Sequence, residues 1–259
     1  MPFFNANGAD TYYELGGASA SPALVFSNSL GTNFKMWDSQ ATTLGSEFEI
    51  LRYDTRGHGS SAVTPGPYTI SQLADDALSL LNRMEIEQAS FCGLSMGGMI
   101  GMTLALRAPK RVHKLVLCNT APRIGSADSW NARISTVQQK GMAGVTEAVL
   151  ERWYTPEFRK KSPEQIQATR EMLQQTSPEG YAACCVAIRD ADLWGEISEI
   201  RVPTMIVLGQ YDPVVPLEHG PMMAQRIPGA RYLELPAAHL SNIEASQVFT
   251  RELAAFLKQ

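Results

Sequence analysis

Histidine is scarce in this chain. Four among 259 residues (His58, His113, His219 and His239) leave few side chains that can take and return a proton near neutral pH. Cysteine is equally scarce. Cys92, Cys118, Cys184 and Cys185 show no paired metal-type spacing, and the last two are adjacent. A zinc framework or disulfide scaffold is therefore not expected, and reduced, buried thiols in a cytoplasmic protein are. No apolar run approaches the ~18 residues needed to span a bilayer, and no positive segment followed by an apolar core resembles a signal peptide. No basic block stands out and the formal net charge is −4, so neither nucleic acid nor an acidic membrane is an expected partner. Internal repeats and low-complexity segments are absent as well.

What remains is the composition of a globular protein, 44% hydrophobic and 19% charged, with enough length for one large α/β domain. Short apolar runs recur: 23–26, 48–53, 89–92, 114–118, 204–208 and 230–235. With little polar alternation they suit strands buried on both faces. The segment through Tyr12 to Leu15 reads as a hairpin strand. Between the runs lie stretches with helical spacing: 70–84, with Ser71 as its N-cap, 98–106 and 246–257. Alternating β and α predicts a mostly parallel sheet flanked by helices. From 122 to 201 the alternation stops, and helices are expected at 129–139, 145–153, 163–175 and 180–189. That is too long for a loop, so it reads as a helical insertion between core segments 1–121 and 202–259.

Gly93-Leu94-Ser95-Met96-Gly97 stands between a strand and a helix. A sharp strand-to-helix turn crowds its neighbours, and glycines two residues to either side relieve that crowding. The turn lifts the serine hydroxyl out of the sheet and sets it at a helix N-terminus, where negative charge is favoured. Ser95 is thus a candidate nucleophile, and it needs a base. His239 follows the last expected strand and precedes the C-terminal helix, which brings it over the strands' C-terminal edge. His113 precedes a strand and belongs at the opposite edge, while His58 and His219 read as polar loop or surface residues. Asp212 ends the run from Met205, with Pro213 stopping the strand, and can orient His239. For the oxyanion, the N–H of Met96 is one donor. The other belongs to the loop after Phe26, with Ser29 preferred and Leu30 second.

Over nearly its whole length the chain resembles the α/β-hydrolase superfamily. The resemblance rests on the elbow, on Tyr53-Asp54-Thr55-Arg56-Gly57-His58-Gly59-Ser60-Ser61, on the stretch from Pro203-Thr204 to Asp212, and on Ala238-His239. It implies the α/β-hydrolase fold with an all-helical cap at 122–201, and a charged turn at Asp54–Arg56 supporting the nucleophile loop. More narrowly the chain is similar to 3-oxoadipate enol-lactonases. Phe26 to Thr32, Phe91 to Met99, and Cys118 to Gly125 with Ser129 to Arg133 carry that likeness. It implies a serine hydrolase that opens a carboxylate-bearing lactone through an acyl-enzyme, with no cofactor and no metal. Arg133 is the candidate for the substrate carboxylate, a solvated helix arginine being the alternative. Trp130, one turn before it, and Trp153, with Trp194 and Met142, are either pocket lining or core packing. Rival readings are a carboxylesterase, a carbon–carbon bond hydrolase or a perhydrolase of the same fold, and, outside enzymes, a ligand receptor built on it.

Overall fold

The computed structural model describes residues 3–259. The chain opens as a hairpin of β1 (Phe3–Ala6) and β2 (Ala9–Gly17). It turns at Asn7 and Gly8, both at positive φ (50° and 83°), as a two-residue hairpin of this twist requires. Then follow β3 (Ala23–Ser27), α1 (Asp38–Leu44), β4 (Glu49–Tyr53), α2 (Ile70–Arg83), β5 (Ala89–Leu94), α3 (Met96–Arg107) and β6 (Val112–Cys118). Five helices come next: α4 (Ala127–Lys140), α5 (Ala143–Trp153), α6 (Pro156–Lys161), α7 (Pro163–Gln175) and α8 (Pro178–Arg189). The chain ends with β7 (Thr204–Gly209), α9 (His219–Arg226), β8 (Arg231–Leu235), α10 (Ser241–Glu244) and α11 (Ser246–Leu257).

The strands form one sheet in the order β1-β2-β4-β3-β5-β6-β7-β8. β2 runs antiparallel to β1 and β4, and every other pairing is parallel. The runs with no polar alternation, β5 and β7, are buried at every residue, whereas edge strand β8 keeps Arg231 and Glu234 exposed. Chain order departs from β3 in one direction and from β5 in the other, although the two strands are neighbours. In open parallel sheets, ligands bind outside the strands' C-terminal ends at such a switch point. The loops after β3, β5, β6, β7 and β8 all emerge at that edge.

Two local expectations are corrected. The N-cap of α2 is Thr69, whose hydroxyl accepts from Gln72 N–H at 3.0 Å; Ser71 already lies inside the first turn. The insertion also holds five helices rather than four. The short α6 starts where Thr155 caps it and Pro156 occupies the first turn, a signal that six residues are too few to show as periodicity. Among the described residues no helix is long and apolar enough to cross a membrane.

Candidate active site

β5 runs into α3 through Ser95, whose backbone sits at φ 56°, ψ −114°. Holding a side-chain-bearing residue there costs about 1–3 kcal/mol, and the surroundings enforce it. Ser95 N–H donates to Cys118 O at 2.9 Å, and the Thr120 hydroxyl donates to Ser95 O at 2.7 Å. A Cβ on Gly93 would lie 2.1 Å from Gly97 O, and one on Gly97 would lie 2.3 Å from Ser27 O. Glycine at both positions is what lets the turn close. The Ser95 side chain stands at the positive end of α3, and Met96 N–H, in the helix's first turn, has no intrahelical acceptor.

Asp212 follows β7 and its carboxylate is fully buried. One oxygen accepts the N–H groups of Val214 (2.8 Å) and Val215 (3.3 Å), closing a turn of the type aspartate favours. The other accepts Asn119 Nδ2 at 2.9 Å and His239 Nδ1 at 2.8 Å. Since the carboxylate can only accept, Nδ1 of His239 carries the proton, and Nε2 of the neutral ring is left to accept one. The Trp153 ring lies over His239, centroids 6.4 Å apart and planes inclined by 27°. Asn119, at a left-handed φ of 44° after β6, also donates to Ala238 O at 3.2 Å and accepts the Ser241 hydroxyl at 2.6 Å. Glu244 accepts Ala238 N–H at 2.9 Å and also accepts the N–H of Thr155, the N-cap of α6. Asn119, Ser241 and Glu244 were not read as site residues. The one available signal for Asn119 was its place at the end of a strand on the same sheet edge.

The loop after β3 is braced at Asn28. Its side chain donates to Tyr53 O at 2.7 Å and accepts Trp37 Nε1 at 3.1 Å, while its carbonyl accepts Gly97 N–H at 3.1 Å. Ser29 N–H points at Met36 Sδ, 3.4 Å away, whereas Leu30 N–H has no acceptor among the described residues. Of the two, Leu30 N–H is the one left without an acceptor. The charged turn does not play its expected part. Asp54 accepts the N–H groups of Phe34 (2.9 Å) and Ser60 (2.8 Å). Arg56 pairs with Asp76 at 2.7 Å and donates to the carbonyls of Ala6 and Asn7 at 3.2 Å. Both side chains point toward the loop after β3 and the first hairpin, and neither hydrogen-bonds the turn at Ser95. Among the described residues no cluster of three His, Cys, Asp or Glu side chains could hold a metal ion.

The family model described as the alpha/beta hydrolase fold matches residues 22–246. A 3-oxoadipate enol-lactonase of Acinetobacter baylyi is 39% identical, over 95% of this chain and 92% of its own. The crystal structure of the enol-lactonase from Burkholderia xenovorans LB400 superposes with a TM-score of 0.98 at 43% identity, covering 100% of both chains. A thermophilic esterase from Thermogutta terrifontis superposes at 0.92 with 27% identity, over 100% of this chain and 97% of its own. The chain belongs to the α/β-hydrolase family.

In this α/β hydrolase the helices between β6 and β7 reach the sheet edge directly. Leu240 N–H donates to Trp153 O at 3.1 Å, and the Thr176 hydroxyl donates to Gly31 O at 3.3 Å. Trp130 is buried, its indole N–H held by Ile124 O at 2.6 Å, and it offers a ring face to the Arg133 guanidinium 4.7 Å away. Arg133 has no carboxylate partner within 4.0 Å among the described residues, and neither has Arg152. The two lie by the phenol of Tyr181. Burial pushes that phenol above its ordinary value while both guanidinium charges pull it back. Arg152 itself is drawn down by burial and then by the charge of Arg133. Arg152 was missed because one arginine among surface-type helix residues carries no local mark. Trp194 packs edge-on against His219, with Arg226 over its ring.

Proposed function

We propose that this α/β hydrolase opens 3-oxoadipate enol-lactone to 3-oxoadipate through an acyl-enzyme on Ser95. His239 takes the Ser95 proton as Oγ attacks the lactone carbonyl, and Asp212 holds the resulting imidazolium. The N–H groups of Met96 and Leu30 receive the oxyanion. Collapse breaks the ring C–O bond and expels an enolate, which takes a proton and becomes the ketone. Water, deprotonated by His239, then releases the second carboxylate. Residues 122–201 act as a cap over a core of 1–121 and 202–259. Arg133 receives the carboxylate already present on the substrate, on a platform of Trp130, and Trp153 covers His239. Four buried, free thiols are consistent with a cytoplasmic setting.

The observation that carries this reading is the buried His239–Asp212 pair at 2.8 Å, on the same sheet edge as a serine held at positive φ. The likeness to enol-lactonases over the full chain supplies the substrate class. The test is a panel of the enol-lactone, p-nitrophenyl acetate and a ring-cleavage diketone. The enol-lactone is expected to lead in kcat/KM by about 100-fold or more. Ser95→Ala is expected to lose the p-nitrophenol burst and about 10⁵–10⁶ of kcat. Faster turnover of a simple ester or of the diketone would sink the substrate assignment.

A further inference from the structure

The insertion holds two arginines that share a neighbourhood and lack a counter-ion. α4 packs against both α5 and α8. Arg133 of α4 is half-buried, with its guanidinium 4.7 Å from the centroid of the Trp130 ring. Arg152, also half-buried, stands in the last turn of α5. Arg123, Arg170 and Arg189 of the same insertion each meet a carboxylate, at 3.6, 2.8 and 2.7 Å. Arg133 and Arg152 meet none among the described residues. The charge of Arg133 acts on Arg152 more strongly than that of Glu151 does. Two like charges kept partly out of water repel, and an anion beside both relieves them.

Tyr181, near the start of α8, supplies a third group. Its side chain is buried and its phenol has both guanidinium groups as neighbours. Burial keeps the phenol protonated. An arginine can only donate, so toward Arg133 the phenol oxygen accepts and its own O–H stays available for another acceptor.

This cluster borders the loops of the active site on two sides. The edge of the Tyr181 ring lies 3.0 Å from the point a Cβ on Gly31 would occupy, so the ring walls the turn after β3. Arg152 lines an open groove together with Pro213 and Ala238, the chain neighbours of Asp212 and His239. Glu151 and Glu157 share that groove, and Lys161 holds Glu157 at 2.6 Å.

We propose that Arg152, Arg133 and Tyr181 form one carboxylate subsite, and that the enzyme therefore also hydrolyses linear esters whose acyl chain ends in a carboxylate. This rests on the reading of Ser95 as nucleophile and of Arg133 as the carboxylate's partner, to which it adds a second guanidinium, a neutral donor and a further substrate class. Opening the lactone leaves its carboxylate at the free end of the acyl chain on Ser95. A linear half-ester of a dicarboxylic acid delivers such a chain directly. Ser95 Oγ bonds to the acyl carbon as the ester C–O bond breaks, and His239 passes the serine proton to the departing oxygen. Water then frees the dicarboxylic acid and restores the serine hydroxyl.

The experiment compares mono-p-nitrophenyl adipate with p-nitrophenyl hexanoate, which has a methyl group where the adipate has its carboxylate. In the unmodified enzyme, kcat/KM for the half-ester is expected to exceed that for the hexanoate by about 10-fold or more. Arg152→Gln is expected to lower this ratio by about 10–100-fold, mostly through KM of the half-ester. Arg152→Lys keeps the charge without the planar fork and is expected to recover part of the ratio. Tyr181→Phe keeps the ring without the donor and is expected to lower the ratio by about 3–10-fold. A preference for the hexanoate in the unmodified enzyme, or a ratio unchanged in Arg152→Gln, would overturn the proposal. Should Arg152→Gln not fold, an unchanged ratio in Tyr181→Phe overturns it equally. Neither ester is a lactone, and the burst in Ser95→Ala reports on the nucleophile alone. Failure of this subsite is therefore distinguishable from failure of the nucleophile or of the enol-lactone assignment.

Discussion

The two sides of the site are held by different means. On the acid–base side, the Asp212 carboxylate takes four donors from three segments: Val214 and Val215 N–H, Asn119 Nδ2 and His239 Nδ1. Ser241 fixes Asn119, and Glu244 fixes Ala238 next to the histidine. On the other side, the turn after β3 is held peptide by peptide: Ser29 O accepts the N–H (3.2 Å) and hydroxyl (2.7 Å) of Thr32, Gly31 N–H donates to His58 Nε2 at 2.8 Å, and Gly31 O accepts the Thr176 hydroxyl at 3.3 Å. The first arrangement is redundant and polar. The second spreads its bonds along successive peptides of one turn. Donors that converge on one carboxylate can cover for a lost neighbour, and bonds spread along a turn cannot.

The largest effect that sharpens this contrast is on Asp212 itself, since redundancy around the carboxylate cannot replace the carboxylate. Asp212→Asn is expected to lower kcat by about 10⁴, because the amide invites the wrong histidine tautomer. Stopped-flow acylation rates would check it.

Acid should act on the oxyanion side through His58. Burial pulls its pKa down to about 4, well below the ~6.5 of an unfolded chain. As pH falls from about 6.5 to 4 the unfolded state binds the proton first, so the stabilisation is complete above 6.5 and is lost through that window. The loss amounts to about 3 kcal/mol at most. Asp54, whose carboxyl burial pushes upward, works in the opposite sense. The readout is therefore the difference between the unmodified enzyme and His58→Gln in urea unfolding at pH 7 and pH 4.5. Equal pH slopes in the two proteins would remove His58 from the acid response.

On the insertion side, Arg133→Ala is expected to lower kcat/KM for the carboxylate-bearing lactone by about 10–100-fold, mostly through KM. The neutral p-nitrophenyl acetate should be nearly unaffected. Equal losses on both substrates would make Arg133 a packing residue.

The smallest effects are expected at Asn119→Ala and Ser241→Ala. Each removes one neutral partner and leaves at least three donors on Asp212, so kcat should fall by less than about tenfold. If either substitution lowers kcat by more than about tenfold, the carboxylate is not redundantly held.

Much of the framework was legible in the chain. β5 and β7 appear as apolar runs because strands buried on both faces have no polar alternation to show. The first hairpin and the helical insertion were legible for the same local reasons. Thr69 and α6 were misread or missed because caps and single turns depend on one residue's torsions, which periodicity does not report.

By itself, the sequence determined the strand-to-helix turn at Ser95 and the order of Ser95, Asp212 and His239 along the strands. Those features depend on local sterics, strand ends and chain direction, all of which are written in neighbouring residues. Only the tertiary structure decided which N–H after β3 is free, that Asn119 serves Asp212, that Trp153 lies over His239, and that His58 reaches Gly31. Each of these joins segments between 27 and 93 residues apart, apart from the Met36 contact seven residues from Ser29. The partner of a polar atom over such a span is set by how the sheet edge and the insertion meet, and no local spacing encodes it.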